Sequence, residues 1–185
     1  MSTGRIITLA FGSVFLLLVA VSLAGLAPWD LSGAADQDGD AGSVESGPPL
    51  PDALAGLTLE QLVSGQEAIV QTERLHGKGL GQGLDQAWIG AYGSGQITVW
   101  VSRSHREADA EELLVRMTES IESSDTPFTG LEALEYPAGT VYGLDGMGQR
   151  HFYFRIGPDL FWVAAPPASA EEALDGLLQA AGVSS

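Results

Sequence analysis

The sequence contains no cysteine and only one lysine, Lys78. Without cysteine, neither a disulfide bond nor a lipid-modified N-terminal cysteine can form. Lys and Arg together number 8 against 24 Asp and Glu, which gives a formal net charge of −16. This charge repels phosphate groups, so it argues against nucleic acid and anionic lipid headgroups as partners. We therefore predict that the chain has no nucleic-acid partner.

The excess of carboxylates has two interpretations. One is adaptation to high salt, where screening removes the repulsion between like charges. The other is an ordinary acidic exported protein. The composition alone does not decide between these two interpretations.

Motifs for catalysis and cofactor binding are also missing. The chain has no G-x-S-x-G, no H-E-x-x-H and no G-x-x-x-x-G-K-[ST], and the glycine-rich segment 79–83 opens no predicted helix. Its three histidines, His76, His105 and His151, show neither H-x-H nor H-x-x-x-H spacing. We predict no catalytic residue, no cofactor and no metal.

The longest apolar stretch is residues 6–26, which carry no charge and no proline. A helix of this length spans about 31 Å, enough to cross a hydrocarbon core of about 30 Å. Arg5 precedes the stretch and acidic residues follow it, which favours a cytoplasmic segment 1–5 and a C-terminal domain outside the cytoplasm. The stretch is predicted to be a transmembrane anchor, and the alternative is a signal peptide that is cleaved after export.

The rest of the chain divides into a linker and one domain. Residues 27–52 are rich in Gly, Ala, Asp and Pro and are predicted to form a flexible acidic linker. Residues 53–185 are long enough for one extracytoplasmic domain with its own hydrophobic core.

Three S-x-x-E sequences, beginning at Ser64, Ser104 and Ser169, match the capping box and predict three helix starts. The apolar spacing that follows predicts amphipathic helices over about 65–75, 106–122 and 170–181.

Alternating apolar residues and turn signals predict the strands between these helices. The predicted strands span 57–63, 84–92, 96–102, 131–136, 140–144, 151–156 and 160–164. Hairpins dominate this order, so we predict an α+β fold with a mainly antiparallel sheet and three helices packed on one face. The order hairpin, serine, helix occurs twice, at 88–122 and 152–181. It has two explanations: an ancient duplication, or the ordinary way in which a helix covers a hairpin.

The strand 151–156 holds the most suggestive surface residues. Its apolar alternate residues are predicted to face the helices, which leaves His151, Tyr153 and Arg155 on the other, open face. A turn at Pro158-Asp159 would place Arg155 opposite Trp162, whereas a three-residue loop would place it opposite Phe161. The predicted interaction face comprises His151, Tyr153, Arg155, Trp100, Trp162 and Trp88. A solvated sheet face is the alternative interpretation.

These features lead to three functional hypotheses. The first is a non-enzymatic, membrane-anchored accessory domain that binds a membrane or extracytoplasmic protein. The second is a domain that binds or senses a small molecule in a pocket between the sheet and the helices, with His76, His151 or Arg155 nearby. The third is a small hydrolase that pairs a histidine with a carboxylate.

Overall fold

The computed structural model describes residues 49–76, 83–123 and 126–183. Within these ranges no helix has the length and apolarity needed to cross a bilayer. The predicted anchor 6–26 and the predicted segment 1–5 lie outside the described residues. The described end of the predicted linker contacts the domain, since Leu50 is buried in the core and the Tyr92 hydroxyl donates a 2.9 Å hydrogen bond to the Pro51 carbonyl.

The fold is α+β, and the element bounds follow the sequence prediction closely. The strands are β1 (Ala53–Leu54), β2 (Leu57–Ser64), β3 (Leu84–Tyr92), β4 (Ile97–Ser104), β5 (Phe128–Tyr136), β6 (Gly139–Gly146), β7 (Gln149–Ile156) and β8 (Asp159–Ala165). The helices are α1 (Gly65–His76), α2 (Glu107–Ser123) and α3 (Ala170–Ala180). The three predicted helices are confirmed, and the two-residue strand β1 was not predicted.

All eight strands form one antiparallel sheet in the order β1-β2-β3-β4-β8-β7-β6-β5. The antiparallel arrangement predicted from the hairpins is therefore confirmed. The centre of the sheet is the β4–β8 pair, which joins the two meandering halves of the chain. In the β7–β8 hairpin, Ile156 pairs with Asp159, so the turn is Gly157-Pro158 and Arg155 lies opposite Leu160. Both registers considered from the sequence are therefore wrong.

The prediction that all three helices pack on one face is also wrong. Phe152 and Phe154 of β7 pack in the same cluster as Leu174 of α3, whereas Tyr153, between them, packs with Leu113 of α2. Because neighbouring residues of a strand point to opposite faces, α2 and α3 cover opposite faces of the sheet. The helix α1 packs through Ala68 on Ala87, Ile89 and Trp100, whose cross-strand pairing places them on the α2 side.

The placement of α2 and α3 bears on the repeated hairpin–helix unit. After the hairpin β3–β4 the chain crosses to one face of the sheet, and after the hairpin β7–β8 it crosses to the other. The two units therefore differ in handedness. This difference argues against duplication and favours two independent ways of covering a hairpin.

Two of the capping predictions are wrong in detail. Ser104 is the last residue of β4, and α2 begins only at Glu107. Ser169 precedes α3 but makes no side-chain cap, since its hydroxyl lies 3.4 Å from the Pro166 carbonyl that it donates to. At α3 the S-x-x-E sequence thus marks the approach to a helix, although Ser169 does not make the side-chain hydrogen bond of a capping box.

Candidate functional site

A row of four aromatic side chains crosses the sheet on the face that α1 and α2 cover. Trp100 of β4 pairs with Trp162 of β8, which pairs with Tyr153 of β7, which pairs with Tyr142 of β6. Trp162 and Tyr153 stack with ring centroids 5.2 Å apart, and Tyr153 and Tyr142 stack at 5.0 Å. The antiparallel register creates this row, because residues paired across strands project side by side.

Three of the four side chains in the row are only half-buried. Tyr153 is completely buried, whereas Trp100, Trp162 and Tyr142 are half-buried. Trp100 belongs to the cluster under α1, and Trp162 belongs to the cluster under α2. The paired tryptophans therefore lie where the two helix-covered clusters meet, and neither residue is fully buried.

Tyr153 is held beneath α2 by a hydroxyl contact. Its hydroxyl lies 3.0 Å from that of Thr118, which also donates to the Leu114 carbonyl at 3.0 Å. Since Thr118 uses its proton within the helix, the Tyr153 hydroxyl is the donor between them. Burial raises the pKa of Tyr153 to about 12.

His151 lies one row away from Tyr153, and both of its ring nitrogens are bonded. The indole N–H of Trp162 donates to Nδ1 at 3.1 Å, and Nε2 lies 3.1 Å from the Gly146 carbonyl. Because Nδ1 accepts, Nε2 carries the proton and the ring is neutral. Burial lowers the pKa of His151, against a smaller opposing contribution from its bond to Gly146. With both nitrogens engaged, the ring does not offer a free base to a substrate.

Phe128, the first residue of β5, completes this cluster. Its ring meets the His151 ring edge to face at 5.0 Å and lies 5.4 Å from the Trp162 ring. A Cβ at Gly146 would come within 2.4 Å of the Phe128 ring, so Phe128 occupies the space that this glycine leaves. One packed cluster therefore comprises Phe128, Gly146, His151 and Trp162.

The other predicted interaction residues lie elsewhere. Trp88 is buried on the α3 face, where the Arg103 guanidinium sits 5.1 Å above its ring. Arg155 is on the α2 face, but its Nη1 donates to Glu107 of α2 and to the Gly157 carbonyl, both at 2.7 Å. His76 ends α1, and its side chain lies outside the described residues.

The structure thus brings together His151, Tyr153, Trp162 and Trp100 and places Trp88 on the opposite face. Arg155 shares the face of the aromatic row but is paired with Glu107 of α2. Sequence reasoning missed the roles of Phe128 and Tyr142. Tyr142 and Leu144 are two residues apart along β6, so their side chains point to the same face of the sheet. This period-two spacing was the signal that could have placed Tyr142 beside the apolar cluster under α2. Phe128 carried no signal, because its position depends on the pairing of an edge strand.

The arginines whose side chains the structure describes are paired with carboxylates. Arg103 makes a bidentate salt bridge with Asp159, in which Nε donates to Oδ1 at 2.6 Å and Nη2 donates to Oδ2 at 2.7 Å. Arg150 pairs with Glu132 and Asp145. The remaining pairs are Arg106–Asp109, Arg116–Glu112 and Arg155–Glu107. Because acidic residues outnumber basic ones threefold, many carboxylates remain without a cationic partner. The domain therefore presents a negative surface.

The chain shows neither a metal site among its described residues nor a match to known proteins. Among the described residues, no group of three or more His, Cys, Asp or Glu is arranged to hold a metal ion. No protein-family model, curated protein or solved structure matches the chain. The features that bear on function are therefore the geometry of the aromatic row and the charge of the surface.

Proposed function

We propose that this chain is a membrane-tethered accessory domain outside the cytoplasm that binds another protein through Trp100 and Trp162. The location is supported by the sequence, in which an uncharged stretch at 6–26 follows Arg5 and precedes acidic residues. In this proposal the domain acts by contact and performs no chemical reaction.

The observation that carries the proposal is the half-burial of the paired tryptophans. Trp100 and Trp162 project side by side from adjacent strands, and each remains partly open to solvent. Tryptophan is enriched among the residues that dominate binding energy at protein interfaces, since its large rigid ring buries much area at little entropic cost. The sheet and the packed helices fix both indoles before a partner arrives, which lowers the entropic cost of docking.

The charge of the domain indicates the chemistry of its partner. The described arginines are engaged in internal ion pairs, and the uncompensated charge is carboxylate. A partner surface with basic residues around an apolar centre would complement both the charge and the tryptophans. Binding to such a partner weakens as salt rises, because salt screens the rim charges.

The proposal is tested by purifying the full-length chain from its native membranes in mild detergent through a C-terminal tag. The variant Trp100→Ala removes one indole and is expected to weaken retention of a stoichiometric partner by about thirtyfold, the loss typical of an interface hot spot. The matched control is Leu62→Ala, which removes an exposed apolar side chain on the other face of the sheet and should retain the partner.

The fold of the variant is checked by its thermal midpoint, because Trp100 also packs against α1. If Trp100→Ala lowers the midpoint, Trp100→Phe is used, since it keeps an apolar ring while reducing the exposed area. A well-folded variant that retains the partner as wild type does, or a wild-type chain that co-purifies with no partner, contradicts the proposal. A mature N-terminus after about residue 24 would contradict the tether.

A further inference from the structure

We propose that His151 is an acid-sensitive latch that holds Phe128 and the indole of Trp162 in place, and that protonation of its ring releases both. The latch does not depend on the proposed function, because it concerns the internal cohesion of the domain. It joins three strands, since Phe128 begins β5, His151 lies in β7 and Trp162 lies in β8.

The hydrogen-bond pattern makes the neutral ring the only form that fits. The indole N–H of Trp162 is a donor with no acceptor capacity, and it points at Nδ1 from 3.1 Å. Nε2 is committed as a donor to the Gly146 carbonyl. A proton added to the ring must go to Nδ1, where it would meet the indole N–H donor to donor. The Trp162–His151 hydrogen bond is therefore lost on protonation.

Burial adds to this conflict. His151 is 2% exposed, and a cation formed there loses most of its hydration. The charged groups nearest to the ring act in opposite senses, since Asp145 of β6 favours its charged form and Arg150 of β7 opposes it. From α2, Glu122 acts on the neighbouring Tyr153, which is itself neutral. No charged side chain from the described residues of β5 or β8 is among the groups that act on the His151 ring. Asp145 is therefore the charged group that opposes acid release, because it stabilises the protonated ring inside the folded domain.

The start of β5 is the part of the sheet that the latch can release. Among the described strands, β5 lies at the edge of the sheet and has β6 as its single neighbour. The register shifts between Thr129 and Glu132, so the pairs of Phe128 and Thr129 with β6 are separated from the rest of the ladder. Contacts with His151 and Trp162 anchor this short segment. Loss of the latch is therefore expected to free residues 128–129 while the pairing from Glu132 onward remains.

The direct test is a pH titration of the full-length, uniformly ¹⁵N-labelled chain in detergent, followed by NMR from about pH 7.5 to about pH 4.5. At the high end, the His151 ring should show the tautomer with the proton on Nε2. As the ring protonates, the Trp162 indole signal should move with the same midpoint, and the amides of 128–129 should lose protection from hydrogen exchange. An indole signal that stays constant while His151 titrates would overturn the proposal.

A second test compares stability in two variants. His151→Asn cannot titrate but offers an uncharged acceptor close to the position of Nδ1, and His105→Asn removes an exposed histidine beside Asp85 as the matched control. The unfolded ring has an ordinary pKa of about 6.5, and burial lowers the pKa of the folded ring. The unfolded chain therefore takes up a proton first as the pH falls, and stability is lost below about pH 6.5.

In this window the folding equilibrium constant of wild type should fall by up to about tenfold per pH unit from this group. The His105→Asn variant should keep the component of the decline that comes from His151, whereas His151→Asn should lack it. Equal acid sensitivity of His151→Asn and wild type would contradict the latch. If His151→Asn does not fold, the wild-type NMR titration decides the question.

Discussion

Replacement of Gly143 with alanine tests the position of the Arg150 guanidinium, which lies against the α3 face of the sheet. The Arg150 guanidinium lies over Gly143 and 5.1 Å from the Phe152 ring, where it pairs with Glu132 and Asp145. A Cβ at position 143 would stand 2.5 Å from Nη2 and 3.1 Å from Cζ of Arg150. The methyl group and the guanidinium cannot share this space, so the guanidinium must leave it.

The size of the effect follows from the contacts that are lost. The cation–π contact with Phe152 contributes about 0.5–1 kcal/mol, because Arg150 is only partly buried. The ion pairs involve half-exposed carboxylates and add about 0.2–1 kcal/mol each. Against this loss, alanine is favoured over glycine within a strand by about 0.5–1 kcal/mol. We expect Gly143→Ala to lower the free energy of unfolding by about 1 kcal/mol.

The change that Gly143→Ala makes to the free energy of unfolding should no longer be destabilising when the Arg150 guanidinium is absent. In an Arg150→Ala background, the guanidinium no longer blocks the site and the edge of the Phe152 ring, 3.3 Å from the added Cβ, offsets only part of the preference for alanine. Gly143→Ala should then be neutral or stabilising by up to about 0.5 kcal/mol. Urea denaturation of the two single variants, the double variant and wild type gives the coupling energy directly. If Gly143→Ala has the same effect in both backgrounds, the guanidinium does not occupy the site and the reasoning is refuted.

Two further predictions concern the core and its tyrosines. Leu174→Ala empties a fully buried position of α3 and should cost about 2–5 kcal/mol in urea denaturation, whereas Met147→Ala at an exposed turn should cost less than about 0.5 kcal/mol; equal costs would contradict the placement of the core. Burial, with a smaller contribution from the Asp52 charge, raises the pKa of Tyr92 to about 12, and burial raises that of Tyr153 likewise to about 12. Because these tyrosines ionise near pH ~10 in the unfolded chain, stability should fall as the pH rises from about 10 to about 12, and phenylalanine at either position should reduce that slope. An unchanged slope in both variants would exclude the two residues as its source.

The sequence predicted local structure well because its signals are local. Helix α3 was predicted over 170–181 and spans Ala170–Ala180, and β3 was predicted over 84–92 and spans Leu84–Tyr92. Apolar spacing and turn residues determine such elements within one window of the chain. The side of the sheet on which a helix packs depends on the crossing direction of the chain, for which no short window carries a signal.

The candidate site was predicted only in part for a related reason. The alternation along β7 separates Phe152 and Phe154 from His151 and Tyr153, and the polar character of the second pair indicated solvent. Both sets are buried, because histidine and tyrosine pack well when their polar atoms find partners. Trp162 provides such a partner for His151, and this pairing depends on a register that the turn residues left open.

The central β4–β8 pairing also has a consequence for how the chain folds. Arg103 and Asp159, which pair across these two strands, are 56 positions apart in the chain. Until β8 has been synthesised, β4 has a hydrogen-bonding partner on one side only, and its Ile97, Val99 and Val101 lack the covering of α3. Non-local pairings of this kind slow folding, because the chain loses the entropy of a long loop before the new contacts stabilise it. The first half of the domain therefore remains an incomplete sheet until the second half has been made.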